Sequence, residues 1–174
     1  MIARSAFVPL RLPCRRAGTD DAGVAARPSG GSRNGHEQPG YRRDEEMARR
    51  SIEVPGLQHG APIPQASVVG NLLVSGGISP VDPETGVTPD GADEQVAMVF
   101  ANVRRVLAAA GGTIGDIVKC TVFVQDKAIR PVVNKYWVEM FPDEASRPAR
   151  HMLSTDLQSG TRLQLEIMAV LGEG

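Results

Sequence analysis

Residues 162–171, with the sequence RLQLEIMAVL, alternate between apolar side chains and polar or longer ones. Successive side chains of a strand point to opposite faces, so this period of two predicts a β-strand. One face would carry Leu163, Leu165, Ile167 and Ala169, and the other Arg162, Gln164, Glu166 and Met168. The first face is apolar enough to receive helices, whereas the second is mixed. The segment therefore predicts a sheet that helices cover on one side only.

Four more strands are predicted from local composition. Residues 66–79, ASVVGNLLVSGGIS, contain two apolar runs around Gly70-Asn71, which is typical of two strands joined by a tight turn. Residues 117–125 are rich in Val, Thr and Phe, and residues 149–155 precede the final strand. One face of the 117–125 strand would hold Val118, Cys120, Val122 and Val124, with Cys120 as a buried hydrophobic residue.

Two helices are predicted between these strands. Residues 90–110 carry an apolar stripe at helical spacing that Gly111 ends, and a second stripe lies between Asp126, a candidate N-cap, and Pro142. The second stripe consists of Ile129, Val132, Val133, Tyr136, Trp137, Met140 and Phe141, with Trp137 expected in the core. The predicted order is β-β-α-β-α-β-β, an α+β domain with a mixed sheet and both helices on one face. No further element could cover the other face, so another subunit should bury it, and we expect a homo-oligomer.

Composition excludes several classes of protein. The 174 residues are 41% hydrophobic and 22% charged, as in a soluble globular domain. A net charge of −1 and an aromatic content of 4% give no basis for binding nucleic acid. No stretch approaches the ~18 consecutive apolar residues of a membrane span. Cys14 and Cys120 lie far apart without a CxxC motif, so we expect no disulfide framework or metal site, and a cytoplasmic location.

The first 46 residues differ from the remainder of the chain. They hold 6 Gly, 4 Pro and 8 Arg with few periodic apolar positions, so they should not bury a core. We expect residues 1–46 to be a disordered or mis-assigned extension, with an interaction tail and a targeting signal as the alternatives. Residues 47–174 form the predicted domain, in which 11 basic and 14 acidic residues give a net charge of −3.

Three short patches could carry chemistry. Ser75-Gly76-Gly77 ends a strand with small residues, which allow a ligand to approach the backbone or simply mark a bulge. In the segment 147–150, RPAR, Pro148 directs Arg150 into a strand, where a guanidinium can bind a carboxylate. Glu166 lies between apolar neighbours, so it should either pair with Arg150 or Arg162 or carry protons beside a pocket.

His151 directly follows Arg150 and should therefore point to the opposite face of its strand. Packing against a helix is its expected role.

Seven features, in this order along the chain, resemble the RidA/YjgF/UK114 family. They are Ser75-Gly76, VDPETG at 81–86, Gln95, GDIVKCTVFVQD at 115–126, Val133-Asn134, RPAR at 147–150 and LEI at 165–167. The resemblance spans residues 60–171. It implies a chorismate-mutase-like α+β subunit with six strands, assembled as a homotrimer with clefts between subunits.

The same resemblance implies a function. Members of the family hydrolyse reactive 2-imino or 2-enamino acids, such as 2-aminoacrylate, to 2-oxo acids and ammonia without metal or cofactor. The family's carboxylate-binding arginine falls on Arg150, its water-activating acid on Glu166 and its substrate hydroxyl on Ser75. Gly76 matches a small residue beside the pocket, and Asn134 matches an asparagine that shapes the cleft.

Some residues depart from the family pattern, which indicates a divergent subgroup. The tyrosine that usually precedes the first strand is absent from residues 62–66, PIPQA, and His151 follows Arg150 where a small residue or Cys is common. An aminated dicarboxylate such as 2-aminomuconate is therefore an alternative substrate, with Arg162 or His151 as a second anion contact. A non-catalytic carboxylate-binding trimer is another alternative, and an endoribonuclease is disfavoured by the acidic domain.

Overall fold

Six strands form one mixed sheet in the computed structural model, which describes residues 48–58, 60–158 and 160–172. The strands are β1 (Arg50–Ile52), β2 (Ala66–Val69), β3 (Leu72–Ser75), β4 (Ile117–Val124), β5 (Ala149–Ser154) and β6 (Leu163–Val170). Their spatial order is β1-β2-β3-β6-β4-β5, and the β4–β5 pair is parallel whereas the other neighbours are antiparallel. The predictions for residues 1–46 lie outside the described residues.

Two helices cover one face of this sheet. They are α1 (Ala92–Ala110) and α2 (Arg130–Met140), and their apolar stripes join the helix-facing strand residues in a single core. Leu165 of β6 and Val122 of β4 are almost completely buried in it. The predicted α+β class and the one-sided arrangement of the helices are confirmed. None of the helices in the described ranges has the length and hydropathy that crossing a bilayer requires.

The boundaries of most predicted elements are confirmed within a few residues. Gly70 adopts φ +56° in the two-residue turn between β2 and β3, and Gly111 ends α1 at φ +84°. Asp126 caps a single 3₁₀ turn, Lys127–Ile129, that leads into α2. The short first strand, β1, was not predicted, because three residues beside arginines give no periodic signal.

One predicted strand face is wrong. The pairing of β4 with β6 shifts by one residue between Ile117 and Lys119, so Ile117 is buried and Val118 is exposed. A bulge of this kind inserts one residue and reverses the alternation on one side of it. Val118 therefore does not share a face with Cys120, which is buried as predicted.

The other face of the sheet is uncovered in a single chain and carries exposed apolar side chains among polar ones. We call this surface the open face. Its exposed apolar side chains are Val69, Leu72, Val74, Val118, Leu153, Met168 and Val170. Leu72 and Val74 retain 41% and 44% of their accessible surface, which is high for large apolar residues in central strands. A contiguous apolar surface of this kind is typical of a subunit interface.

Two buried amides of α1 hold the loops at one end of the sheet. The Gln95 Nε2 atom donates to the carbonyl oxygens of Pro89 and Gly160, both at 2.7 Å. The Asn102 Nδ2 atom donates to those of Ser79 and Val81, both at 2.8 Å. Because buried polar groups require partners, these bonds fix the loops that follow β3 and precede β6.

Candidate functional site

Arg150 lies in β5, the last strand of the sheet, and its side chain points toward α2. Its Nη2 atom donates to Asn134 Oδ1 at 2.7 Å. Its Cζ atom lies 4.7 Å from the centre of the Trp137 ring. Arg150 and Cys120 are paired in register, which places both side chains on the helix-covered face. Arg150 and Asn134, which the family resemblance assigned separately to the site, are therefore in direct contact within one chain.

The guanidinium of Arg150 keeps unused hydrogen-bonding capacity. Its Nη1 atom is buried and has no hydrogen-bond partner, and no carboxylate among the described residues forms an ion pair with it. Burial lowers the pKa of Arg150, and the neighbouring Arg130 lowers it further. A buried N–H without an acceptor is costly, so this position favours an anion that accepts a hydrogen bond.

Arg147, the other arginine of the RPAR segment, has a structural role. Its Nε atom donates to the Phe141 carbonyl at 2.9 Å, and its Nη1 atom forms an ion pair with Glu144 at 3.3 Å. The two arginines therefore differ in whether their guanidinium nitrogens have hydrogen-bond partners. Of the two, only Arg150 has a buried nitrogen without a partner among the described residues, which supports its selection as the ligand-binding arginine.

Ser75, Gly76 and Gly77 form a bulge at the end of β3. Between the Val74–Met168 pair and the Ile78–Leu165 bridge, the β3 side has one more residue than β6. The buried Ser75 hydroxyl accepts from the Ile167 N–H at 2.9 Å and donates to the Gly76 carbonyl at 2.8 Å. Both alternatives for this segment, a bulge and a ligand-accessible backbone, therefore remain compatible with its geometry.

Gly76 itself is not under steric pressure from its own chain. Its N–H donates to the Gln65 carbonyl at 2.8 Å. A Cβ atom at Gly76 would lie 3.7 Å from the Pro64 carbonyl oxygen, an ordinary contact. A requirement for glycine at this position would therefore come from outside the subunit.

Glu166 lies on the open face, opposite Arg150. It pairs in register with Thr121, whereas Arg150 aligns with Cys120 on the other side of the sheet. Of the two alternatives for Glu166, the structural pairing with Arg150 or Arg162 is not found: Arg150 donates to Asn134, Arg162 donates to the Asp90 carbonyl, and neither forms an ion pair with Glu166. Glu166 instead adjoins the Ser75–Gly77 bulge on the neighbouring strand.

The candidate residues form two separate groups in one chain. Ser75 bonds to Ile167, Ile167 aligns with Cys120, and Cys120 aligns with Arg150, so a row of four residues spans the sheet. Three strand spacings of about 4.8 Å separate β3 from β5, so the Cα atoms of Ser75 and Arg150 lie about 14 Å apart. The buried side chains of Ile167 and Cys120 fill the space between them. A small ligand could not contact Ser75 and Arg150 of the same chain.

His151 is exposed and its side chain belongs to the open face, because it pairs in register with Thr121. The predicted packing of His151 against a helix is therefore wrong. The alternation in β5 fixes that residues 150 and 151 point apart, but its sequence ARHMLS has no apolar stripe to indicate which of them faces the helices.

Two residues near these groups were not predicted as functional. Trp137 stacks on Arg150, and its position three residues after Asn134 on one helix could have indicated this, because such residues share a face. Gln164 packs against Gly77, and its Nε2 atom donates to Ser79 Oγ at 2.8 Å. No sequence signal distinguished Gln164 from other polar residues of the open face.

A cavity of about 240 Å³ lies next to the bulge. Its lining includes Leu57, Gln65, Gly77 and Ser79. A second cavity, of about 270 Å³, lies between the start of α1 and the turn before α2, and Arg162 lines it. Arg150 lines neither of these two cavities.

Cys120 lies beside Arg150 without being a nucleophile. Burial raises the pKa of its thiol to about 12, although the Arg150 charge acts in the opposite direction. A thiol with so high a pKa is protonated at neutral pH. Its role is therefore to pack beneath Arg150.

The sheet and the helices define the class of protein. It is a small α+β domain with a mixed six-stranded sheet, two helices on one face and exposed apolar side chains on the other. Comparison with known proteins then identifies the family. The family described as Endoribonuclease L-PSP matches residues 57–171, and the chain belongs to this RidA/YjgF family.

Relatives of known structure or named activity agree with this assignment. A 2-iminobutanoate/2-iminopropanoate deaminase of Escherichia coli is 34% identical over 111 residues, which cover 63% of this chain and 87% of the relative. The structure of Escherichia coli TdcF with bound serine matches with a TM-score of 0.65 and 28% identity, covering 71% of this chain and 99% of that one. The Rid-family protein YyfA of Yersinia pestis gives a TM-score of 0.67 at 28% identity, covering 71% and 100%. The chain is thus similar to deaminases and to small-molecule-binding proteins.

Proposed function

We propose that this protein hydrolyses reactive 2-imino and 2-enamino acids to 2-oxo acids and ammonia, without metal or cofactor. The observation that carries the proposal is the buried Nη1 atom of Arg150, which lacks a partner in the described part of the chain. A substrate carboxylate would accept its hydrogen bond. The named activity of the Escherichia coli relative and the serine bound to TdcF support a small amino-acid-like ligand. The cytoplasm is the expected location.

In the proposed reaction, Arg150 holds the carboxylate and thereby orients the C=N carbon. Water adds to that carbon to give a carbinolamine, and the C–N bond then breaks to release ammonia and leave the 2-oxo acid. Glu166 accepts a proton of the attacking water and passes it to the imine nitrogen, and it then transfers the carbinolamine hydroxyl proton to the same nitrogen as the C–N bond breaks. A 2-enamino acid enters the same sequence after protonation at its β-carbon. Positioning and proton transfer suffice, because the imine is intrinsically labile.

The proposed assembly is a homotrimer with its sites in clefts between subunits. About 14 Å separates Ser75 from Arg150 within a chain, by the strand spacing. In the assembly, Arg150 and Asn134 of one subunit would meet Ser75, Gly76 and Glu166 of another. Burial of the open face would provide the association free energy.

A monocarboxylate is the favoured substrate over an aminated dicarboxylate. Arg162 donates to the Asp90 carbonyl and lines a cavity without Arg150, whereas His151 lies across the sheet from Arg150. Neither residue stands beside Arg150 in one chain, so a dicarboxylate would need its second anion contact from another subunit, which a monocarboxylate does not. If dicarboxylates nevertheless protect the imine site better than monocarboxylates in a competition assay, the dicarboxylate alternative would replace this assignment.

The proposed function is tested by semicarbazone formation from freshly generated 2-imino acids. An amino acid oxidase supplies imines with several side chains, and semicarbazide traps them in competition with hydrolysis. The full chain should suppress the semicarbazone signal, and heat-denatured protein should not. Binding of 2-oxo acids without suppression of the signal would instead indicate a non-catalytic carboxylate-binding protein.

Replacing Glu166 with glutamine is expected to lower kcat about 10²-fold, because general acid-base catalysis contributes 10² or more. KM should change less than twofold, since Arg150 still holds the carboxylate. The semicarbazone assay measures both constants. Glu84→Gln, the same change in an exposed loop, is the control. An unchanged kcat in Glu166→Gln, together with a loss in Gln164→Leu, would move the water-positioning role to Gln164.

A further inference from the structure

Trp137 is both a core residue and the support of the Arg150 guanidinium. Its side chain is only 7% exposed, and its ring lies 4.6 Å from the Phe141 ring, centre to centre. Another part of the same ring lies under Arg150, with Cζ at 4.7 Å from the ring centre. Core packing therefore fixes the position of the ring over which the guanidinium carbon lies.

One terminal nitrogen of the Arg150 guanidinium has a hydrogen-bond partner and the other has none among the described residues. The guanidinium carbon lies over the Trp137 ring at 4.7 Å from its centre, and Asn134 Oδ1 accepts one N–H of Nη2 at 2.7 Å. Nη1 is buried with no partner in the described part of the chain. Hydrogen bonds of a guanidinium lie in its plane, so an acceptor must approach the free edge of that plane. Nη1 is therefore the edge that an anionic acceptor would use.

We propose that Trp137 is a positioning residue, which acts through Arg150 to preorganise one carboxylate-binding edge. The proposal rests on the proposed function for the identity of the ligand, the carboxylate of a 2-oxo or 2-imino acid. A free arginine side chain loses about 2 kcal/mol of rotamer entropy when it is immobilised. Trp137 and Asn134 impose that order before the ligand binds, so the affinity for the carboxylate is higher.

A double-mutant cycle between Trp137 and Arg150 tests this proposal. The Kd of the full chain for 2-oxobutanoate is measured by calorimetry in the wild type, Trp137→Phe, Trp137→Leu, Arg150→Ala and Trp137→Leu/Arg150→Ala. Because a cation over tryptophan is more strongly attracted than one over phenylalanine, Kd should rise about threefold in Trp137→Phe and about tenfold in Trp137→Leu. In the Arg150→Ala background, Trp137→Leu should cause no further rise in Kd.

The double-mutant cycle separates the positioning role of Trp137 from a purely structural one. Under either role, Trp137→Leu should lower the melting temperature in both backgrounds. Under the positioning role, the substitution should raise Kd only when Arg150 is present. Phe100→Leu is the matched control, because Phe100 is an equally buried aromatic residue of the same core that does not contact Arg150. The Phe100→Leu variant should lose thermal stability and keep its Kd.

Three outcomes would overturn the proposal. They are an unchanged Kd in Trp137→Leu, an equal rise in Kd with and without Arg150, and no binding of 2-oxobutanoate by the wild type. Failure of the proposed function would be recognised separately. If 2-oxobutanoate binds in the expected Trp137-dependent manner but no imine is hydrolysed, the positioning role stands and the deaminase activity does not.

Discussion

Replacing Arg150 with alanine is expected to lower kcat/KM for a short 2-imino acid by about 10²- to 10³-fold. Truncating one member of a buried, hydrogen-bonded charge pair costs about 2–5 kcal/mol, and each 1.4 kcal/mol corresponds to a factor of ten. The loss should affect KM and kcat together, because Arg150 both binds the carboxylate and orients the C=N carbon. The semicarbazone assay with the full chain measures the change.

The matched control for this variant is Arg147→Ala, in the same RPAR segment. Arg147 bonds to Phe141 and Glu144, so its loss should lower the melting temperature and leave kcat/KM within about threefold of the wild type. Arg150→Lys should remain strongly impaired, since an ammonium group cannot reproduce the in-plane geometry of the guanidinium. Wild-type activity in Arg150→Ala would refute the carboxylate-anchor role.

Replacing Val74 with aspartate is expected to abolish assembly and, with it, at least 99% of the activity, because each site draws on two subunits in the proposed trimer. Val74 lies in the open face between Ser67 and Met168 and is 44% exposed in one chain. An unpaired carboxylate in a buried interface costs several kcal/mol at each of the contacts that symmetry repeats. Light scattering during size-exclusion chromatography measures the mass.

The Val74→Asp variant should remain folded, because the substitution is solvated in the isolated subunit and strand propensity changes by only about 1 kcal/mol. Circular dichroism provides that check. Val87→Asp introduces the same charge at a loop residue that is 61% exposed, so it should leave the mass and the activity unchanged. A trimer of normal mass formed by Val74→Asp would show that the open face is not the interface.

Sequence periodicity predicted the elements whose apolar pattern is long enough to be unambiguous. The 19-residue helix α1 and the strand β6 each repeat their signal several times. Gly70 and Gly111 occupy positive-φ positions that favour glycine, so the turn and the helix end were also predictable. The uncovered face of the sheet was predictable because the sequence contains only two helical patterns, both assigned to the other face.

Features that depend on contacts between distant residues were not predictable. The bulge beside Val118 arises from pairing with β6, and a local pattern of alternation does not contain that information. The same holds for the buried amides of Gln95 and Asn102, whose partners lie in loops remote in sequence. Strand alternation placed Arg150 and His151 on opposite faces but did not assign the faces.

The grouping of the site residues was the least predictable feature. Ser75, Arg150 and Glu166 were expected around one ligand, and their residue types do not reveal that two buried side chains separate Ser75 from Arg150. Only the strand order β3-β6-β4-β5 shows this separation. Motif matching assigns residues to a site without assigning them to a subunit.

The separation of β3 from β5 has a consequence for how the activity would depend on the amount of protein. A chain that carries both halves of a site, yet cannot close the site alone, is inert until copies meet. By mass action, catalysis would then rise more steeply than in proportion to protein concentration near the dissociation constant of the assembly. At protein concentrations below that dissociation constant, the subunits would be folded but inactive, so the number of gene copies would determine whether activity appears.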